Sequence, residues 1–170
     1  MQFLLTAGTN YFFEIAKLRA ARLLWSAIVN SYGLPGELAS RLKIHVATSR
    51  WYQTVFDPHV NLLRCTTEAM SAILGGCDSL SVAPFDKLYK TSDAFSERVA
   101  RNISVILKEE AYLDKAIDPA AGAYYLENLT KELAEKSWAF LQELETQDGF
   151  NKALDSGFIA MEIGKTAEQQ

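Results

Sequence analysis

His45-Val46-Ala47-Thr48-Ser49-Arg50-Trp51 and Gly75-Gly76-Cys77-Asp78-Ser79-Leu80, joined through Asn61-Leu62-Leu63-Arg64-Cys65-Thr66-Thr67-Glu68-Ala69-Met70-Ser71-Ala72-Ile73-Leu74, read as strand, helix, strand. The first strand is expected over Lys43–Ser49, the helix over Val60–Leu74, closed by Gly75-Gly76. The next strand is expected over Leu80–Ala83, stopped by Pro84. Alternation of side chains puts His45, Ala47 and Ser49 on one face of the first strand and Ile44, Val46 and Thr48 on the other. Polar residues stand where each strand ends, and in parallel α/β folds ligands bind at those ends.

The pattern repeats on the N-terminal side. Phe3–Thr6 is a short apolar run ended by Gly8, expected as a buried strand. Asn10 is the expected N-cap of a helix through Ser31. Phe12, Phe13, Ile15, Ala16, Ala20, Ala21, Leu24, Trp25 and Ile28 make it apolar on most of its circumference, so it is expected to be covered on several sides. Tyr32-Gly33-Leu34-Pro35-Gly36 ends it. Downstream, Ser92 or Asp93 caps a helix expected through Ala111. Asp118-Pro119-Ala120-Ala121-Gly122 is a turn, and Tyr125–Thr146 a long helix. Two short helices follow, near Phe150–Asp155 and around Met161. Residues 1–164 are expected as one domain and 165–170 as a frayed tail.

Strands alternating with helices argue for α/β architecture with a parallel sheet. Three strands leave two edges of unpaired backbone groups, and purely parallel sheets are normally covered on both faces. The chain is therefore expected to belong to something larger, such as the last strands of a barrel, and to self-associate through its edges and its apolar first helix. Its 170 residues suffice to bury roughly 70% of the unfolded surface. A net charge of −4 argues against electrostatic binding to nucleic acid. Lys17, Arg19 and Arg22 interrupt the longest apolar run, so no membrane span is expected; without a basic segment and small-residue cleavage site near Met1, no signal peptide is expected either. Cys65 and Cys77 are too few for a disulfide framework and lack zinc-ligand spacing. They read as reduced, buried thiols, and the default location is cytoplasmic.

Few residues are candidates for chemistry. His45, with Ser49 and Ser81, is the substrate-facing candidate: a strand His beside a lumen hydrogen-bonds a ligand or moves a proton. The commoner role of such a His is one satisfied by its neighbours. Asp57, His59, Asn61 and Arg64 cluster at a helix start, where Asp57 or Asn61 serves as a cap and Arg64 as an anion contact or a solvated charge. Asp78, Ser79 and Ser81 read as turn chemistry. Glu109 and Glu110 are adjacent on a helix and point apart. No phosphate loop, nucleophile elbow or metal cluster is present. No catalytic, cofactor-binding or metal-binding residue is assigned.

Five stretches resemble the methylmalonyl-CoA mutase family. They are Asn10 through Trp25, the His45 block, Phe95-Ser96-Glu97-Arg98-Val99-Ala100-Arg101-Asn102, Asp118-Pro119 with Gly122 and Tyr124-Tyr125, and Gly157-Phe158-Ile159. The resemblance implies the C-terminal portion of a TIM (β/α)8 barrel, about three parallel strands with covering helices and extra C-terminal helices. It also implies an acyl-CoA thioester along the barrel axis, adenosylcobalamin held with a separate domain, and radical interconversion of methylmalonyl-CoA and succinyl-CoA.

Two departures narrow the expectation. Catalytic chains of the family usually read His-x-Gln-Thr-Ser-Gly; here Ala47 replaces Gln and Arg50 replaces Gly. They usually read Gln-Ser-Leu-His-Thr-Asn; here Asp78-Ser79-Leu80-Ser81-Val82-Ala83 stands. Ala has no hydrogen-bonding capacity where Gln donates and accepts. The Asp-x-His-x-x-Gly cobalamin motif is absent from these residues, as is the barrel half that carries the Tyr-His pair and the Arg-Leu-Ser segment. The chain thus resembles the small, non-catalytic subunit of heterodimeric mutases, expected to bind no cofactor itself and to pair with a catalytic subunit. The alternatives are a divergent catalytic mutase chain and a stand-alone α/β binding module.

Overall fold

The computed structural model describes residues 1–167. Three strands, β1 (Gln2–Ala7), β2 (Lys43–Thr48) and β3 (Ser79–Ser81), form a parallel sheet in the order β1-β2-β3. The helices are α1 (Tyr11–Ser31), α2 (Gly36–Ser40), α3 (Val60–Leu74), α4 (Ala94–Glu109), α5 (Tyr124–Thr146), α6 (Phe150–Asp155) and α7 (Phe158–Ala167). The chain is α/β, as its alternating pattern requires. The chain divides into two compact units, with the boundary between Leu133 and Ala134. Of the expected tail at 165–170, residues through Ala167 continue α7; the rest lies outside the described residues.

One face of the sheet carries the core of the first unit. Ile44 and Val46 are fully buried, with Ala7, Leu18, Leu42 and Ala72, and Phe3, Leu5 and Trp25 pack around them. Alternation along β2 therefore points Ile44, Val46 and Thr48 under α1 and α3. A second cluster, Cys65, Ala69, Ile103 and Leu107, joins α3 to α4. A third, Ile15, Ala120 and Leu126, joins α1 to the start of α5.

Ion pairs fix α1 against its neighbours. The Arg19 guanidinium donates to Asp118 at 3.1 Å, Glu127 at 2.8 Å and Thr130 at 3.0 Å. Arg22 donates to the carbonyls of Leu42 and Gly76 and to Asp78. Gly75 has ordinary φ and is needed for a different reason: a Cβ there would meet Leu18 Cδ1 at 2.8 Å, so α1 and α3 touch through it. Gly76, at φ +81°, turns the chain out of α3 and lets the Cys77 amide donate to Ala72 O at 3.1 Å.

Several details differ from expectation or sharpen it. The chain has the short helix α2 where only a helix end was read, since Pro35-Gly36 starts a turn that Glu37-Leu38 continue. The ladder of β3 ends at Ser81 rather than Ala83, because the Ala83 amide donates instead to Thr48 Oγ1 at 2.8 Å. Asn10 is the N-cap of α1, without a side-chain bond; Phe12, Phe13 and Leu23 of this largely apolar helix are exposed while Glu14 is buried. Of the two expected caps Asp93 is the one used, in a reciprocal box with Ser96, and α4 stops at Glu109 rather than Ala111.

In the second unit, Leu144 and Ala153 are the buried apolar residues among those described, and Phe140 stacks on Phe158 with ring centroids 6.4 Å apart.

Candidate functional site

The opposite face of the sheet is open. It presents Leu4 and Thr6 from β1, His45 and Ala47 from β2, and Ser79 and Ser81 from β3. The parallel register aligns Leu4, His45 and Ser79 in one row and Thr6, Ala47 and Ser81 in the next. Leu4, on this face, is 72% exposed.

His45 is tied between two hydroxyls of the neighbouring strand. Its Nδ1 lies 2.7 Å from Ser79 Oγ and its Nε2 3.1 Å from Ser81 Oγ. In either neutral tautomer one ring nitrogen donates to its serine and the other accepts. Ser79 and Ser81 reach the ring because residues two apart on a strand share a face. Chemically the arrangement is a self-satisfied polar bridge; the beside-lying Ala47 offers no hydrogen bond to a guest.

The structure thus brings His45 and Ser81 together and leaves Ser49 apart. Ser49 lies one residue past the end of β2. Its amide donates to Ala7 O at 2.8 Å and its hydroxyl accepts from the Trp51 amide at 3.2 Å, as part of a turn. Beyond it the loop exposes Trp51 and Phe56. Ser79, read from the sequence as turn chemistry, is the shorter of the two histidine contacts. Its spacing from Ser81 and its register opposite His45 are the signal that identifies it.

Asp78 is likewise more than a turn residue. It accepts from the Ile44 amide at 2.8 Å and pairs with Arg22 at 2.8 Å and Lys43 at 2.9 Å. Partial burial pushes its carboxyl up, but the Ile44 amide, Arg22 and Lys43 outweigh that and hold it at about 2.

The cluster at the start of α3 is not a surface cap. His59 occupies the N-cap without a side-chain bond and lies against Phe85. Asn61 is fully buried; its amide donates to the carbonyls of Thr54 and Phe85 and its oxygen accepts from the Thr54 amide and Arg64. Asn61 thereby anchors the 49–59 loop, and Arg64 is engaged with it. Cys65 is buried and Cys77 only partly so; both are free thiols. Burial pushes both thiols up, Cys77 to about 11, which disfavours the reactive thiolate.

Three further buried carboxyls, Glu14, Glu68 and Asp86, were not singled out in the sequence. Burial pushes Asp86 up, but Ser96, Ser92 and Lys90 outweigh it and hold it low. Glu68 stands on the same helical stripe as Asn61, Cys65 and Ala72, a polar residue on an inward face, which is the pattern that marks it. Among the described residues no group of three or more His, Cys, Asp or Glu side chains is placed to hold a metal ion. No helix among them is long and apolar enough to cross a membrane.

A family model described as methylmalonyl-CoA mutase matches residues 1–170. The chain is 52% identical to a methylmalonyl-CoA mutase small subunit of Porphyromonas gingivalis over 89% of its own length and 25% of that protein. It is 42% identical to a methylmalonyl-CoA mutase of Cereibacter sphaeroides, over 100% of this chain and 24% of that one. To a methylmalonyl-CoA mutase large subunit of Porphyromonas gingivalis it is 40% identical, over 98% of this chain and 23% of that one. The chain spans about a quarter of the length of the curated relatives it matches.

Proposed function

The chain belongs to the methylmalonyl-CoA mutase family, and from that premise we propose that it is part of a small, non-catalytic subunit. In this reading β1, β2 and β3 are consecutive strands of a (β/α)8 barrel and their open face is the lumen side. The role is structural: to pair with a catalytic chain that interconverts methylmalonyl-CoA and succinyl-CoA in the cytoplasm. The 52% identity to a small subunit supports the assignment.

The observation that carries it is the His45 bridge. Where catalytic members of the family are expected to present His and Gln to a thioester, this face offers a ring already bonded at both nitrogens, beside an alanine. A substrate group here would have to displace a bond of equal kind, gaining little. His45 and Ser81 accordingly face the lumen without holding substrate, and Ser49 is taken up by its turn.

Adenosylcobalamin supplies the radical in this family. The residues present do not fit it. His45 is engaged by two serines, and His59, the other histidine of the chain, lies against Phe85, with ring centroids 5.2 Å apart. On this reading the cofactor is carried by the catalytic partner.

Two measurements test the proposal. Mixed with a large subunit, the chain is expected to elute as a heterodimer in size exclusion with light scattering. Titrated alone with methylmalonyl-CoA or adenosylcobalamin in a calorimeter, it is expected to give no heat at micromolar concentrations. Micromolar binding of either ligand would overturn the structural role and favour a divergent catalytic chain, the reading that the retained His45 also permits.

A further inference from the structure

We propose that Glu68 is a proton-binding site: a carboxylic acid kept neutral between α1, α3 and the end of β2, whose ionisation loosens the packing of those three elements. Glu68 is 1% exposed, and neither of its carboxyl oxygens has a hydrogen-bond partner. An ionised carboxylate in that condition carries its full desolvation cost.

The groups around it do not relieve that cost. From α1 it faces Glu14, itself buried and ion-paired with Lys17. From the end of β2 it faces the Ser49 amide, which already donates to Ala7 O at 2.8 Å. On its own helix stand Arg64, which donates to Asn61 at 3.0 Å, and Cys65, an uncharged buried thiol. The Glu14 charge thus acts on Glu68 unfavourably, and no cation is committed to Glu68. A proton on Glu68 removes the repulsion and the desolvation together.

Burial raises the Glu68 acid and the Glu14 charge adds to it, against the opposing Ser49 amide and Arg64, leaving it at about 7. The unfolded chain releases this proton near 4.5, the folded chain near 7. The folded state therefore holds more protons between those values, and stability is full below about 4.5 and falls until about pH 7. A shift of this size corresponds to a folding constant that drops on the order of a hundredfold across that window.

The test is a carbon-13 titration of the glutamate carboxyls in the full chain, with Glu68 assigned through the backbone, alongside urea unfolding at a series of pH values. Glu68 is expected to titrate near neutrality, and the hundredfold fall in the folding constant to vanish in Glu68→Gln. Glu14→Gln is expected to move the Glu68 titration to lower pH by removing the facing charge. A Glu68 carboxyl that ionises below pH 5 overturns the proposal whether or not the Gln variant folds. So does a wild-type slope over pH 5 to 7 that the Gln variant retains. A titration that moves with sodium or potassium at constant ionic strength also overturns it, because a bound cation would then be the partner.

Discussion

At the scale of single residues, polar side chains that the sequence marks as surface chemistry are structural ties. Asp78 joins the amide of Ile44, the guanidinium of Arg22 and the ammonium of Lys43. With its side chain 25% exposed, solvent screens part of that attraction. Asp78→Asn is expected to cost about 1–2 kcal/mol in urea unfolding at pH 7. Its folded value lies below its ordinary 3.8, so the contribution is full above about 3.8 and is lost as pH falls through about 2. The difference between wild type and variant should narrow over that interval; an undiminished difference at pH 2 would mean that the ion pairs contribute nothing. The histidine bridge makes a weaker demand, because it sits on the open face. Ser79→Ala is expected to change the tautomer balance of the His45 ring, read by nitrogen-15 spectra, while altering stability by no more than about 1 kcal/mol.

At the scale of elements, the closest contact is that of α1 with α3 at Gly75. A methyl group there would stand 2.8 Å from Leu18 Cδ1 and 3.1 Å from both Leu18 Cβ and Ser71 O. Leu18 is fully buried and cannot swing away. Gly75→Ala is therefore expected to cost about 1–3 kcal/mol through overpacking, measured by the urea midpoint, although its backbone dihedrals suit alanine. Period and punctuation made most elements legible from sequence: α3 runs over the expected residues, and β1, β2, α5 and α6 differ from expectation by at most a residue at each end. The misses share a cause. The end of β3 is decided by the Thr48 hydroxyl taking the Ala83 amide, and the interior place of Asn61 by carbonyls at Thr54 and Phe85. Those partners are 7 to 35 residues away, beyond any local pattern. For the candidate site, parity identified the face of His45, and only cross-strand register reveals that Ser79 shares it.

At the scale of the whole molecule, the two units differ in what they bury. The first holds three apolar clusters; the described part of the second holds Leu144 and Ala153 as its buried apolar side chains. Local opening free energy follows buried contact. Native-state hydrogen exchange is expected to protect the amides of β2 and α3 most and those of α6 and α7 at least tenfold less. Equal protection would mean that the units open together. The uncovered sheet face and the two edge strands bear on assembly. Light scattering of the chain alone is expected to show association that rises with concentration and disappears when the large subunit is added.

The bridge from His45 to Ser79 and Ser81 also bears on how the strands find one another. Alternation of buried and exposed side chains rejects a slip of one residue, since that would drive polar groups into the core. It is blind to a slip of two, which leaves every side chain on its proper face. The imidazole is not blind to it. Moved by two residues in one direction, β3 would set Ala83 where Ser81 stands; in the other, Cys77 would replace Ser79. In only one alignment do hydroxyls flank both ring nitrogens. The imidazole thereby acts as a vernier, reading strand alignment to a resolution that hydrophobicity lacks.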